Sequence, residues 1–291
     1  MTEQTPDLAL SHEELKRRED HRRFVRAMGL HFLLVGLCIL FAIPFLWMVL
    51  TSLKTIDEVG LDSWLPQKFM WKNYKEVFEV IPFGRFYWNS IFIASWVTFL
   101  QVFTSSLAAF SFSRLEWPGR DKVFFLYLGT MMLPGLVMMI PNYQIMIKTG
   151  LVDSYLGLIL PASFSAFGTF LLRQFMLTIP RSLDEAAEID GASKWQIYWD
   201  VIMPLCRPGL ITLTIFTFIG NYRSFFWPLV MIRSVHKYTL PIGLLYFDST
   251  QGQQTNLLLA GVTMSVLPMV ILFVLLQKYL VKGIQLGAVK G

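Results

Sequence analysis

The residue whose chemistry stands out is Arg223, which lies within the apolar stretch Phe216–Leu229. An arginine at membrane depth costs at least ~2.5–3.5 kcal/mol on insertion scales, so a cavity, a counter-ion or a ligand usually accompanies it. Its guanidinium can hold a carboxylate or a phosphate by two parallel hydrogen bonds. Three roles are open at this stage: contact with an anionic ligand, a salt bridge to a neighbouring subunit, or a side chain that reaches back to the membrane surface.

A second set of polar residues lies in residues 180–205, which we call the polar loop, between two apolar stretches. Ser182 with Glu185 fits a capping box, and Ser193 with Gln196 fits another. Gly191 lies between the two predicted helices, where a sharp turn needs a residue that can adopt positive φ. The sequence therefore predicts a helical hairpin too polar to lie in lipid.

This hairpin has features of a docking element. Ala186 and Ala187 keep its first helix narrow, so the backbone of a soluble partner could approach closely, and Pro204 introduces the next apolar stretch. An ordinary solvated hairpin is the alternative, because capping boxes are common.

The residues that catalysis would need are scarce. The four histidines are His12, His21, His31 and His236, and the two cysteines are Cys38 and Cys206. This set does not suit a metal site, haem or a disulfide. The chain has no G-x-x-x-x-G-K-[ST] motif that would bind a nucleotide. We predict no catalytic residue and no metal site, and we do not expect an enzyme.

The surrounding sequence must place these residues in a membrane. Of the 291 residues, 54% are hydrophobic and 15% are charged, which is well below the quarter typical of soluble domains. Leu30–Thr51 alone is long enough to cross a bilayer. We predict an all-α polytopic membrane protein with six transmembrane helices, at 29–52, 86–110, 123–147, 156–177, 208–232 and 257–280.

Lysine and arginine counts predict the orientation. The side that holds both termini and the polar loop carries 16 of the 25, and the opposite side carries 8. We therefore predict a charged cytoplasmic tail at 1–28, a transmembrane domain at 29–280 and a cytoplasmic tail at 281–291. The net charge of +5 follows from this bias and does not indicate a nucleic-acid partner.

The polar loop also resembles a known motif. Glu185-Ala186-Ala187, Asp190-Gly191-Ala192 and Pro204 are similar in order and spacing to the EAA loop of ABC importer permeases. The resemblance covers roughly residues 25–291 and points to the carbohydrate-import branch, to the second permease subunit of maltose, trehalose, glycerol-phosphate and oligosaccharide importers. Further matching segments are Met132-Leu133-Pro134 through Pro141, Gly150 to Tyr155, Phe170 to Phe175, Tyr238 to Leu244 and Val281-Lys282-Gly283.

This resemblance implies an ABC type I importer permease fold in the bacterial inner membrane. It implies a related second permease, two P-loop ATPase subunits that carry ATP and Mg²⁺, and a periplasmic or external solute-binding protein. This chain would bind no cofactor itself. Coupling to the ATPase would fall on Ser182, Asp184, Glu185, Ala186, Ala187, Asp190, Gly191 and Pro204, with Glu185 near a basic residue of the ATPase.

The chain departs from the family pattern at Tyr222-Arg223-Ser224-Phe225, where an amide and an acid usually stand. A cation in this place suits an anionic cargo, such as a uronic-acid oligosaccharide or a sugar or glycerol phosphate. We expect the substrate path to include Tyr222, Arg223, Phe225, Trp227, Asn89 and Asn142. The two asparagines could equally form interhelical hydrogen bonds.

Three alternatives stay open at this point. A neutral oligosaccharide is the first. An ATP-independent channel is the second, although the predicted spans lack the acidic mid-span residues expected of one. A membrane scaffold that transports nothing is the third. A requirement of uptake for ATP would separate these cases.

Overall fold

The computed structural model describes residues 12–61, 63–249 and 254–288, and these residues form helices and loops without a strand. The helices are α1 His12–Ser52, α2 Ile56–Val59, α3 Lys72–Val80, α4 Phe83–Arg114, α5 Arg120–Gly129, α6 Gly135–Lys148, α7 Tyr155–Ala162, α8 Ala166–Leu177, α9 Ser182–Ile189, α10 Lys194–Gln196, α11 Met203–Leu205, α12 Arg207–Tyr222, α13 Phe226–Met231, α14 Leu240–Leu244, α15 Tyr246–Ser249 and α16 Thr255–Ala288. Short 3₁₀ turns cover Thr130–Met132 and Val235–Lys237, and a π-helix covers Ile197–Ile202. The all-α prediction is confirmed.

Three unbroken helical segments are long and apolar enough to cross a membrane: Arg23–Ser52, Phe83–Arg114 and Thr255–Lys278. Bent pairs supply up to three more, at 99° between Arg120–Met132 and Gly135–Lys148, at 42° between Tyr155–Ala162 and Ala166–Leu177, and at 76° between Lys194–Leu205 and Arg207–Tyr222. The described residues thus allow three to six spans, and the predicted six is the upper end of that range.

The predicted fifth span is wrong in its extent. We expected a continuous helix over 208–232, but α12 ends at Tyr222 and α13 begins only at Phe226. Arg223, Ser224 and Phe225 form the break between them. Arg223 therefore caps the end of a helix, where a cation also interacts favourably with the helix dipole.

Helix α4 lies at the centre of the molecule and packs against α8 and α12. The close approach of α8 to α4 depends on small residues, because a Cβ at Gly168 of α8 would lie 2.6 Å from the Ser105 hydroxyl oxygen of α4. A hydrogen bond of 2.7 Å from the Thr104 hydroxyl to the Ser163 carbonyl joins α4 to the turn before α8. Interhelical bonds of this kind contribute about 0.6–2 kcal/mol in a membrane.

Helix α1 packs against α16, yet the apolar part of α1 has no buried residue. Leu33, Phe41 and Phe45 are each more than half exposed. A continuous apolar surface of this kind is suited to lipid or to another transmembrane helix. Residues 1–11 and 289–291 of the two predicted tails lie outside the described residues.

Candidate functional sites

The turn and the caps of the polar loop are formed by hydrogen bonds between residues close in sequence. Helix α9 ends at a Schellman motif, in which the Ala192 N–H donates to the Ala187 carbonyl at 2.9 Å and the Gly191 N–H donates to the Glu188 carbonyl at 3.0 Å. Gly191 has φ +83°, as the sequence predicted. Because no atom lies within 4 Å of the position that a Gly191 Cβ would take, the backbone conformation alone requires glycine.

One of the two predicted capping boxes is present. The Gln196 N–H donates to the Ser193 hydroxyl at 3.3 Å, and the Ser193 N–H donates to the Gln196 side-chain oxygen at 2.8 Å. The other prediction is wrong, because Arg181, with φ −66° and ψ −24°, already has helical backbone. Ser182 is therefore the first helical residue, and its side chain makes no capping hydrogen bond.

The second half of the polar loop is seated in the protein. Ile197, Tyr198 and Ile202 of the π-helix are buried, and the Tyr198 hydroxyl lies 2.7 Å from the Ser106 hydroxyl of α4. Pro204 follows in α11, at the 76° bend that leads into α12. The second half of the polar loop is therefore packed into the helical bundle.

Two faces of α9 have different partners. Asp184 and Ala187 face the protein, whereas Ser182, Glu185, Ala186 and Asp190 are exposed. Ile189 on the exposed side is 86% exposed, which is unusual for an isoleucine at an ordered helix end. The exposed face of α9 therefore presents an apolar side chain next to carboxylates.

Sequence reasoning missed the partner of Asp184. Its carboxylate accepts a hydrogen bond of 3.1 Å from Arg114 at the end of α4, and the side chains are 14% and 3% exposed. Arg114 also donates to the Ile179 carbonyl at 2.9 Å and to the Met176 carbonyl. No local pattern signals a contact between residues 70 positions apart.

The break after α12 lines one side of a cavity of about 460 Å³, which we call the aromatic cavity. Asn142, Phe225 and Trp227 of the predicted substrate path line it. The Trp227 ring N–H donates to the Gly157 carbonyl at 3.1 Å, so α7 fixes the orientation of the indole. Ser90, Asn221, Ser224 and Thr239 add hydroxyl and amide groups to the lining.

Arg223 lines a different cavity of about 340 Å³, which we call the Arg223 cavity. Asp248 and Ser265 lie on the same lining. Among the described residues, no side chain forms an ion pair or a hydrogen bond with the Arg223 guanidinium. The exposed guanidinium is thus available to an anion, and the predicted path residues are divided between two cavities.

Two other predicted path residues lie in the packed interior. Tyr222 is 3% exposed and its ring stacks on Phe218 at 5.8 Å between centroids, yet it also lines the Arg223 cavity. The Asn89 amide donates to the carbonyls of His236 at 3.1 Å and Tyr238 at 2.9 Å, and it accepts from the Tyr155 hydroxyl at 3.0 Å. The interhelical alternative for Asn89 is therefore what the structure shows.

Near these cavities, Asp153 joins two loops that are far apart in sequence, and we call its contacts the Asp153 network. The carboxylate accepts from the backbone N–H groups of Arg233 at 3.1 Å and Ser234 at 3.0 Å, from the Ser234 hydroxyl at 2.5 Å and from Lys237 at 3.1 Å. Hydrogen bonds from the Ser234 hydroxyl and backbone, with smaller contributions from Arg233 and Lys237, hold the pKa of Asp153 well below its usual value. The Asp153 backbone has φ +57°, and sequence analysis gave no signal for this role.

No cluster of three or more His, Cys, Asp or Glu side chains that could bind a metal occurs within the described residues. Comparison with known proteins then settles the family. The family described as "Binding-protein-dependent transport system inner membrane component" matches residues 101–286. The chain belongs to this family.

Individual relatives agree with this assignment. The chain is 34% identical to the arabinooligosaccharides transport system permease protein AraQ of Bacillus subtilis, over 91% of this chain and 95% of AraQ. It is 32% identical to the sn-glycerol-3-phosphate transport system permease protein UgpE of Yersinia pestis, over 76% of this chain and 81% of UgpE. A bacterial ABC transporter involved in the import of the acidic polysaccharide alginate has a chain of similar structure, with a TM-score of 0.76, 25% identity, and coverage of 90% of this chain and 98% of that one.

This chain is therefore an inner-membrane permease component of a binding-protein-dependent ABC transporter, and it is not itself an enzyme. The ABC type I importer permease fold predicted from the sequence is confirmed. The roles of individual residues in the polar loop and in the cavities remain predictions.

Proposed function

We propose that this chain is one of two related permease subunits of an ATP-driven importer for an acidic carbohydrate, such as a uronic-acid oligosaccharide or a sugar or glycerol phosphate. The observation that carries the acidic cargo is the exposed Arg223 guanidinium, which lines a cavity and has no partner among the described residues. The names of UgpE and of the alginate transporter describe anionic cargo, which supports the same chemistry.

A neutral oligosaccharide is the second candidate, and the similarity to AraQ favours it. The aromatic cavity would suit either cargo, because Phe225 and Trp227 offer rings that stack on sugar faces. Asn89 is left out of the proposed path because its amide is occupied by hydrogen bonds to other elements. The proposed path then consists of Tyr222, Arg223, Phe225, Trp227 and Asn142, with Tyr222 beside Arg223 in the lining of the Arg223 cavity.

The partners in this proposal are a second permease, two P-loop ATPase subunits that hold ATP and Mg²⁺, and an external solute-binding protein. The polar loop would dock on an ATPase subunit through the exposed Ser182, Glu185, Ala186 and Asp190 beside Ile189, while Gly191 and Pro204 shape the two turns. The excess of lysine and arginine on that side supports a cytoplasmic location for the loop, for the tails 1–28 and 281–291 and for both termini of the domain 29–280.

The transport step would be alternating access. Movement of the ATPase subunits would displace the polar loop, and the helices seated on it would tilt between inward-open and outward-open arrangements. Both α4 and α12 lead from the loop to the aromatic cavity, because Ser106 and Ser90 lie on α4 and Asn221 lies near the end of α12.

The first experiment tests the ATPase partner. The tagged chain is extracted in mild detergent, and we expect a soluble P-loop protein to co-purify in stoichiometric amount. Glu185→Lys should abolish this association, since Glu185 is exposed and its reversal would repel a basic partner surface. Glu79→Lys, an exposed reversal on α3, is the matched control and should retain it. A wild-type chain without a nucleotide-binding partner, or uptake without ATP, would support the channel or scaffold instead.

The second experiment tests the cargo. In proteoliposomes that hold the complete importer, Arg223→Asn should lower uptake of an acidic oligosaccharide by about tenfold or more, because a charge-assisted hydrogen bond contributes about 1.5–3 kcal/mol. Uptake of a neutral oligosaccharide should change little, and Arg223→Lys should retain part of the acidic uptake. Equal uptake of acidic cargo by wild type and Arg223→Asn would favour the neutral candidate.

A further inference from the structure

The ion pair between Arg114 and Asp184 differs in kind from the other pair near it. Arg181 and Glu116 join the same two parts of the chain at 3.0 Å, but their side chains are 53% and 78% exposed. Arg114 and Asp184 are 3% and 14% exposed, so solvent does not screen their interaction in the same way. If one residue of a buried ion pair is replaced by a neutral one, the other is left as an uncompensated buried charge.

Arg114 also binds two elements at once. One guanidinium nitrogen contacts Asp184 of α9, and the other donates to the carbonyls of Met176 and Ile179 at the end of α8. A planar fork of donors can satisfy this arrangement, whereas the single ammonium of a lysine cannot reproduce its geometry. The first helix of the polar loop is therefore fixed to both α4 and α8 by one side chain.

Helix α4 continues from this contact to the aromatic cavity. Arg114 is its last residue, and Ser90 and Ile93, which line the cavity, belong to the same helix. The helix contains no proline, and at 1.5 Å per residue it extends over about 36 Å between Arg114 and Ser90. The Tyr198–Ser106 hydrogen bond of 2.7 Å attaches the second half of the loop to the same helix.

We infer that Arg114 is a positioning residue that transmits movement of the polar loop to α4 and so to the cavity. This inference rests on the proposed function and adds a named residue to it, outside the loop and outside the cavities. Asp184, although it lies beside Glu185, then acts inward on Arg114, and its role differs from that of the exposed residues that would meet the ATPase subunit.

The test uses the complete importer with its binding protein in proteoliposomes, and it measures cargo molecules taken up per ATP hydrolysed. We expect Asp184→Asn and Arg114→Lys each to lower this ratio about fivefold or more, the lower end of typical coupling between sites. Both variants should still co-purify with the ATPase subunits, because neither side chain is on the exposed face. Glu116→Gln removes the exposed pair at the same place and is the matched control, with an unchanged ratio.

The ratio separates transmission from stability, since a variant that is merely less stable loses uptake and ATP hydrolysis together. An unchanged ratio in an assembled variant would overturn the inference. Failure of both variants to assemble would overturn it as well, because the pair would then be a requirement for folding. If the wild-type chain itself bound no ATPase subunit, the proposed function would fail first, and that outcome is seen before any variant is made.

Discussion

The polar loop and the two cavities are built in opposite ways. In the loop, the turn at Gly191 and the cap at Ser193 join residues no more than five positions apart. The aromatic cavity is lined by residues from 90 to 239, and the Asp153 network joins positions about 80 apart. A local rule can be recognised in a sequence, whereas a distant contact exists only after the helices have packed.

This difference has a mechanical consequence. The loop can keep its shape when it moves as a unit, because its own backbone bonds hold it together. The aromatic cavity is instead held by contacts between elements distant in sequence, such as the Trp227–Gly157 hydrogen bond, so shifts of α4, α7 and α12 would change its lining. In the proposed mechanism, the loop would therefore move as a unit while the cavity lining rearranges.

The largest effect should follow from a backbone change at Gly191. Gly191→Pro would impose φ near −65° where the loop has +83° and would remove the bond to the Glu188 carbonyl. We expect ATP-driven uptake to fall at least about tenfold in proteoliposomes, since such a defect costs about 3 kcal/mol or more.

Gly191→Asn is the matched control, because asparagine tolerates positive φ and the site has open space around the new Cβ. Uptake close to that of the wild type is expected. If Gly191→Pro supported uptake as well as Gly191→Asn, the turn would have no part in transport. The contrast between a locally built loop and the cavities would then have no functional meaning.

A smaller effect should appear at the Asp153 network. The folded protein lowers the pKa of Asp153, so its stabilising contribution is present at neutral pH and is lost as the pH falls below about 3.9, the ordinary value for aspartate. We expect Asp153→Asn to lower the melting temperature in detergent by about 3–6 °C at pH 7, because losing a hydrogen bond to a charged group costs about 1.5 kcal/mol or more.

The same measurement repeated at decreasing pH provides the check. The difference between wild type and Asp153→Asn should shrink below about pH 4, because the unfolded wild type then binds a proton that the folded state, with its lowered Asp153 pKa, does not. A difference that stayed constant with pH would show that the carboxylate charge does not hold these loops together. Asparagine also accepts the positive φ of this position, so the backbone is not the cause of the change.

The smallest effect separates two serines of the polar loop. Ser193→Ala removes a cap and should cost about 1 kcal/mol, or about 2–4 °C in melting temperature. Ser182→Ala should shift the melting temperature less, because Ser182 makes no capping hydrogen bond. Equal shifts in both variants would indicate that Ser182 caps α9, as the sequence predicted.

Much of the architecture could be predicted from the sequence. The length of the apolar runs located the three unbroken spans, and the sequence pattern located the polar loop with its glycine turn and its second cap. The first cap was wrong because the chain already enters α9 through a turn, in which the Asp184 N–H donates to the Arg181 carbonyl at 2.9 Å. A serine-to-glutamate spacing does not reveal that the preceding backbone is helical.

The sequence by itself determined the membrane class, the helical fold and the local geometry of the polar loop, because these depend on hydrophobic length and on bonds between near neighbours. Only the tertiary structure decided that α12 stops before Arg223, that Asn89 belongs to the packing, and that Arg114 and Asp153 join distant elements. The physical reason is that a buried polar group takes its partner from whichever helix packs beside it. That neighbour is set by the folded arrangement and not by position along the chain.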